Sequence, residues 1–122
     1  MIIDFNKMAH TSLMEFRGGE MSIRTAEYMD DMNRIIKVTV PPGASVGLHR
    51  HPTSSEVIFV IAGVGTVVCD GAEERLHAGL CSYCPMGSEH SIRNDGEDEF
   101  VYFAVVPQHI TELAENTEED KS

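Results

Sequence analysis

Glycine recurs along this chain at intervals too short for helices of ordinary length. Gly18-Gly19, Gly43, Gly47, Gly63, Gly65, Gly71, Gly79, Gly87 and Gly96 divide it into short runs rich in β-branched and aromatic residues. Turn-forming sequences fall at the same boundaries, among them Pro41-Pro42-Gly43, Asp70-Gly71 and Asn94-Asp95-Gly96. Many short β-prone runs with turns at this rhythm predict an all-β sandwich or barrel. Strands are expected over residues 22–28, 34–40, 57–61, 66–69, 74–77, 80–84, 90–93 and 100–105. Within 34–40, Ile36, Val38 and Val40 share one face, and Lys37 and Thr39 take the other. Helical periodicity is nearly absent before residue 108, and the run from Ile110 to Glu115 is long enough for one helical turn.

The chain has 122 residues, 42% hydrophobic and 24% charged, which fits a single globular domain with a core of its own. No linker or repeat divides it. One domain is expected over residues 1–108, followed at 109–122 by a solvated tail carrying Glu112, Glu115, Glu118, Glu119 and Asp120. A formal net charge of −11 argues against nucleic acid and against anionic membrane surfaces as partners. The first ten residues, with Asp4 among them, form neither a signal peptide nor a membrane span. The expected compartment is therefore the cytoplasm, with Cys69, Cys81 and Cys84 as reduced thiols. Cys81 and Cys84 form a C-x-x-C, but on a strand residues three apart lie ~10 Å from each other and on opposite faces. That is too far for a disulfide, and the inward Cys84 is expected to be a small buried filler.

His49 and His51 are separated by one residue, so on a strand both imidazoles leave from one face. Glu56 follows at the head of an apolar run, and His90 comes after Pro85-Met86-Gly87. Three imidazoles and a carboxylate make a mixed nitrogen and oxygen donor set. It suits Mn, Fe, Co, Ni, Cu or Zn better than Ca or Mg. An H-x-H pair alone would equally describe two surface histidines on an edge strand.

The framework around the histidines is more specific. Gly43-x5-His49-x-His51-x4-Glu56-x6-Gly63 and Gly79-x5-Pro85-x-Gly87-x2-His90-x3-Asn94 match both signatures of the cupin superfamily at every fixed position. Ten positions at roughly 5% each would coincide by chance on the order of once in 10¹³ placements. The chain thus resembles a small single-domain bacterial cupin, and the two signatures cover residues 43–94. The resemblance implies a double-stranded β-helix, or jelly-roll, barrel. It also implies one divalent transition metal held inside by His49, His51, Glu56 and His90, with Asn94 holding a turn.

If those four residues face inward, Ile58 and Val60 follow them, and Val57, Phe59 and Ile61 face out. An outward apolar row needs cover, from a second subunit or from the N-terminal segment, so a homodimer is expected. Ser82 and Cys84 should face in and Arg50 and Arg93 away, while His10, His77 and His109 read as surface or capping residues. For function, the resemblance implies a metal-dependent enzyme acting on a small polar or carboxylate-bearing molecule, of dioxygenase, decarboxylase or isomerase type. The alternative is a non-catalytic module or sensor for a small molecule or metal. A metal-free epimerase is disfavoured, because all four ligand positions are retained.

Overall fold

In the computed structural model, residues 1–109 are described; the acidic segment from Ile110, with its expected helical turn, lies outside the described residues. Ten strands follow one another: β1 (Thr11–Met14), β2 (Ser22–Met29), β3 (Asn33–Val40), β4 (Ser45–Arg50), β5 (Glu56–Ala62), β6 (Val64–Cys69), β7 (Ala72–His77), β8 (Cys81–Cys84), β9 (Glu89–Arg93) and β10 (Phe100–Pro107). The only helical elements among the described residues are two 3-10 turns, Phe5–Lys7 and Phe16–Gly18.

The strands form two antiparallel sheets, β1-β2-β3-β10-β5-β8 and β4-β9-β6-β7. One hydrophobic cluster joins their inner faces. The first sheet contributes Ile36, Val38, Ile58, Val60, Phe100 and Tyr102, and the second Val46, Val67, Leu76 and Ile92. This is the expected jelly roll. Alternation decides which residues reach the cluster: Ile58 and Val60 are buried, whereas Phe59 and Ile61 are 46% and 39% exposed. On β8, Ser82 and Cys84 are buried and Cys81 is exposed, so the C-x-x-C is split between two faces as strand geometry requires.

Eight of the ten strands fall where the sequence predicts them, seven extended by a residue or two at one end or both and β8 shorter by one. The other two, β1 and β4, were not expected, and the irregularity of β4 matters for the site. Val46 pairs with Ile92 and His49 pairs with His90, so three steps along β4 match two along β9. That is a β-bulge at Gly47-Leu48. By simple alternation Val46 and His49 would point to opposite faces; the extra residue lets both point inward. Gly47 is required there by close approach, since a Cβ would lie 2.0 Å from the Arg17 carbonyl oxygen.

Candidate metal centre

Four parts of the chain deliver one side chain each. His49 comes from β4 beyond the bulge, and His90 faces it from the neighbouring strand β9. His51 lies just past the end of β4. Its N–H donates to the Ser88 carbonyl at 3.1 Å and its carbonyl accepts from the Gly87 N–H at 2.7 Å, so the strand direction carries on. The turn it meets is closed by the Ser88 N–H donating to the Pro85 carbonyl at 3.0 Å, with Gly87 at φ +90°. A positive φ at the third position of such a turn is the type II geometry that glycine favours. Glu56 opens β5 in the other sheet, opposite Cys84.

Thr53, Ser54 and Ser55, between His51 and Glu56, are all buried. Gln108 holds them: its Nε2 donates to the Thr53 carbonyl at 3.0 Å and to Thr53 Oγ1 at 2.6 Å. His109, expected to be a surface or capping residue, lies beside them with Nε2 2.9 Å from Ser55 Oγ.

The four side chains converge. His90 Nε2 lies 3.1 Å from His51 Nε2, 3.2 Å from His49 Nε2 and 3.0 Å from Glu56 Oε1. His51 Nε2 is also 3.0 Å from Glu56 Oε1, while His49 Nε2 is 3.9 Å from it. His49 Nδ1 sits 2.8 Å from the Gly47 carbonyl oxygen, which only accepts, so the ring proton is on Nδ1 and the Nε2 lone pair faces inward. Ser54 Oγ lies 3.2 Å from His51 Nδ1. His90 Nδ1 is buried without a hydrogen-bond partner among the described residues.

Burial pushes the Glu56 carboxyl up, but His49, His51 and His90 around it outweigh that and hold it well below the ordinary carboxylate range. An ionised carboxylate facing imidazole nitrogens in a buried site is the donor set a cation satisfies. The spacing fits as well: on an octahedron with arms of ~2.1 Å, adjacent donors lie about 3.0 Å apart and opposite ones about 4.2 Å. His49, His51, Glu56 and His90 are thus brought together as a group that could hold a metal ion.

His49 and Glu56 open onto a cavity of about 530 Å³ whose wall includes Ile36, Val38, Tyr102 and Val106. Burial first, and then the Glu56 charge, hold the Tyr102 phenol well above its ordinary range, so it stays protonated. The N-terminal segment closes one side through Met8, Leu13 and Phe16. Residues expected to point elsewhere do so. Arg50 bonds the Gly87 carbonyl and Glu89 on the exterior, and Arg93 bonds Glu73 at 2.7 Å. Asn94 ties its turn, with Nδ2 donating to the Val40 and Asp98 carbonyls at 2.8 and 2.7 Å.

The family model for the cupin domain matches residues 36–106. The chain belongs to the cupin family. An oxalate-binding protein of Thermotoga maritima is 28% identical to this cupin over 112 residues, which is 87% of this chain and 93% of that protein. A solved structure from the same organism, described as a predicted oxalate decarboxylase, superposes with a TM-score of 0.84 at 25% identity, covering 88% of this chain and 99% of the other. A cupin 2 conserved barrel domain protein from Salinispora arenicola gives a TM-score of 0.64 at 30% identity, covering 70% of this chain and 76% of the other. Among the described residues, no helix is long and apolar enough to cross a membrane.

Two cavity residues, Arg34 and Glu27, were not singled out from the sequence. Arg34 could have been, since it has the same parity on its strand as Ile36, Val38 and Val40. Gln108 gave no such signal, because its partner Thr53 is 55 positions away.

Proposed function

We propose that this cupin binds one divalent transition metal through His49, His51, Glu56 and His90, and acts there on a small carboxylate-bearing molecule. The observation that carries the proposal is the convergence of three imidazole nitrogens and one carboxylate oxygen at the edge of a mostly apolar cavity. Bound there, the ion would supply a Lewis-acid centre with neighbouring positions for a chelating oxygen ligand.

The chain's own residues do the rest. The Gly47 carbonyl keeps the His49 lone pair turned inward, and Glu56 supplies a fixed negative charge. Apolar walls thin the water around the ligand, which strengthens each electrostatic contact. Tyr102, protonated and facing the cavity, offers a hydrogen-bond donor. The Thermotoga relatives support the ligand class, being described as an oxalate-binding protein and a predicted oxalate decarboxylase. The first of those descriptions also favours a second reading, a binding module without turnover.

The chain works as a cytoplasmic homodimer in this account, joined through the outward row of Val57, Phe59 and Ile61. Calorimetry with oxalate tests the ligand, and release of formate or carbon dioxide separates enzyme from binding module. Oxalate should bind the manganese-loaded protein, and both chelation of the metal and His90→Ala should weaken binding by more than about 10-fold. Equal binding by loaded, stripped and substituted protein would contradict the reading.

A further inference from the structure

The cavity beside the cluster is larger and more apolar than a ligand of oxalate's size requires. Its volume of about 530 Å³ lies within the ~300–1,000 Å³ of pockets that enclose drug-sized molecules. Strand alternation decides which side chains surround that space. On β9, Ile92 is one inner-face step from His90, and on β4 the bulge sets Val46 opposite Ile92 as it sets His49 opposite His90. On β5, Glu56 is followed on the inner face by Ile58, and that row runs on through Ala104 of β10 to Ile36 of β3. One such step is about 7 Å along a strand. Within that distance of the cluster both sheets turn apolar. Ile36, Val46, Ile92 and Ala104 all line the cavity, and none is more than 8% exposed.

Charge does not extend beyond the cluster in the same way. Arg34 is the one Arg or Lys among the described residues of the wall. Glu27 engages it from β2, with Arg34 Nε donating to Glu27 Oε2 at 2.8 Å. The two charges offset each other, and a second carboxylate beside Arg34 would also face Glu27. The space next to the cluster therefore favours apolar surface over a further charge. Oxalate has no apolar surface to set against it.

We propose that the cavity holds a monocarboxylate with a branched aliphatic or aromatic side chain, its carboxylate at the His49, His51, Glu56 and His90 cluster and its side chain against Ile36, Val46, Ile92 and Ala104. This deepens, and rests on, the reading of the cluster as a metal site for carboxylates. Ala104 sets the depth of the chamber. It is the smallest inward residue of β10, between Tyr102 and Val106, and it is fully buried. A larger residue there would occupy the space that the ligand's side chain needs.

The test is calorimetric titration of manganese-loaded protein with pyruvate, ketoisocaproate, phenylpyruvate, ketoglutarate and oxalate, with metal content measured on every sample. The keto acids share one chelating head, so differences among them report the wall. Each methylene taken out of water raises affinity about 4-fold, so ketoisocaproate and phenylpyruvate should bind about 10-fold or more tighter than pyruvate. Ketoglutarate, similar in length to ketoisocaproate but charged at its far end, should bind no tighter than pyruvate. Ala104→Leu should remove the preference for phenylpyruvate over pyruvate with metal content unchanged. Should Ala104→Leu not fold, Leu13→Ser on the edge strand β1 takes apolar wall away and should cut the preference several-fold. Several results overturn this inference alone while oxalate still binds: keto acids that bind equally or not at all, ketoglutarate as tight as ketoisocaproate, or a preference unchanged in the variants. A wild type that takes up no metal, or that loads and binds neither oxalate nor any keto acid, overturns this inference and the metal reading together.

Discussion

Glu56 and Cys84 face each other across one ladder position, and their surroundings treat them in opposite ways. The imidazoles of His49, His51 and His90 hold Glu56 ionised against the cost of burial. Cys84 has no such support. Burial first, then Cys69 beside it and the Glu56 charge, push its thiol up to about 12. The consequence for stability has a definite sign. As pH rises past the ordinary thiol value of ~8.5, the unfolded chain ionises Cys84 while the folded chain does not. The contribution of Cys84 is therefore complete below that value and is lost progressively as pH rises toward 12. The same burial governs reactivity, because the thiolate is the nucleophile. Alkylation of the native protein at pH 8 should label the exposed Cys81 and spare Cys84 until the chain is denatured, as read by peptide mass spectrometry. Equal labelling of the two would show that Cys84 is not sealed in the core.

The bulge in β4 decides whether the site can form at all. His49 faces inward only because Gly47-Leu48 inserts an extra residue against β9, and Gly47 is where the Arg17 backbone passes too close for a side chain. Gly47→Ala should destabilise the fold by about 1–3 kcal/mol, the usual range for overpacking. It should also weaken metal uptake more than an equally destabilising change far from the site, such as one at Leu76. Thermal unfolding with metal titration measures both, and an unchanged melting temperature would refute the close-approach argument. The same bulge explains what could be read from the sequence. The strands β5, β8, β9 and β10 were legible because burial is written into them at period two, and β3 because Ile36, Val38 and Val40 share one face. In β4 the bulge and its glycine erase that period, and β1 is a four-residue edge strand with only Leu13 partly buried. His49, His51, Glu56 and His90 were legible as a candidate group because each falls in one of two locally spaced signatures, at 43–63 and 79–94. The holding contact was not, since Gln108 and Thr53 lie 55 positions apart and meet only through the fold.

At the scale of the whole molecule, the outer face of the six-stranded sheet carries apolar side chains that the described residues leave exposed. Phe59 faces Phe103 on β10 and Cys81 on β8, and Val57 faces Val105 and Tyr83. The N-terminal segment reaches this face through Phe5, whose ring lies edge-on to Phe103 with centroids 5.3 Å apart, but Phe59, Ile61 and Tyr83 stay 46%, 39% and 58% exposed. β1 itself pairs with β2 at the opposite edge of the sheet from β8. The dimer proposed above would cover this row, and a two-fold arrangement is the commonest closed form. Sedimentation should give about twice the chain mass for the wild type, and Phe59→Glu should yield a folded monomer, since the side chain is already half exposed. A wild-type species of 13.5 kDa would reject the dimer. The cluster inside the barrel should hold an ion as the protein is purified, and elemental analysis reads that ion. At pH 7.5, above the ~6.5 at which free imidazole protonates, the wild type should carry about one transition-metal ion per chain, and His51→Ala and His90→Ala should carry less than about a tenth of that. Full metal content in both variants would contradict the account.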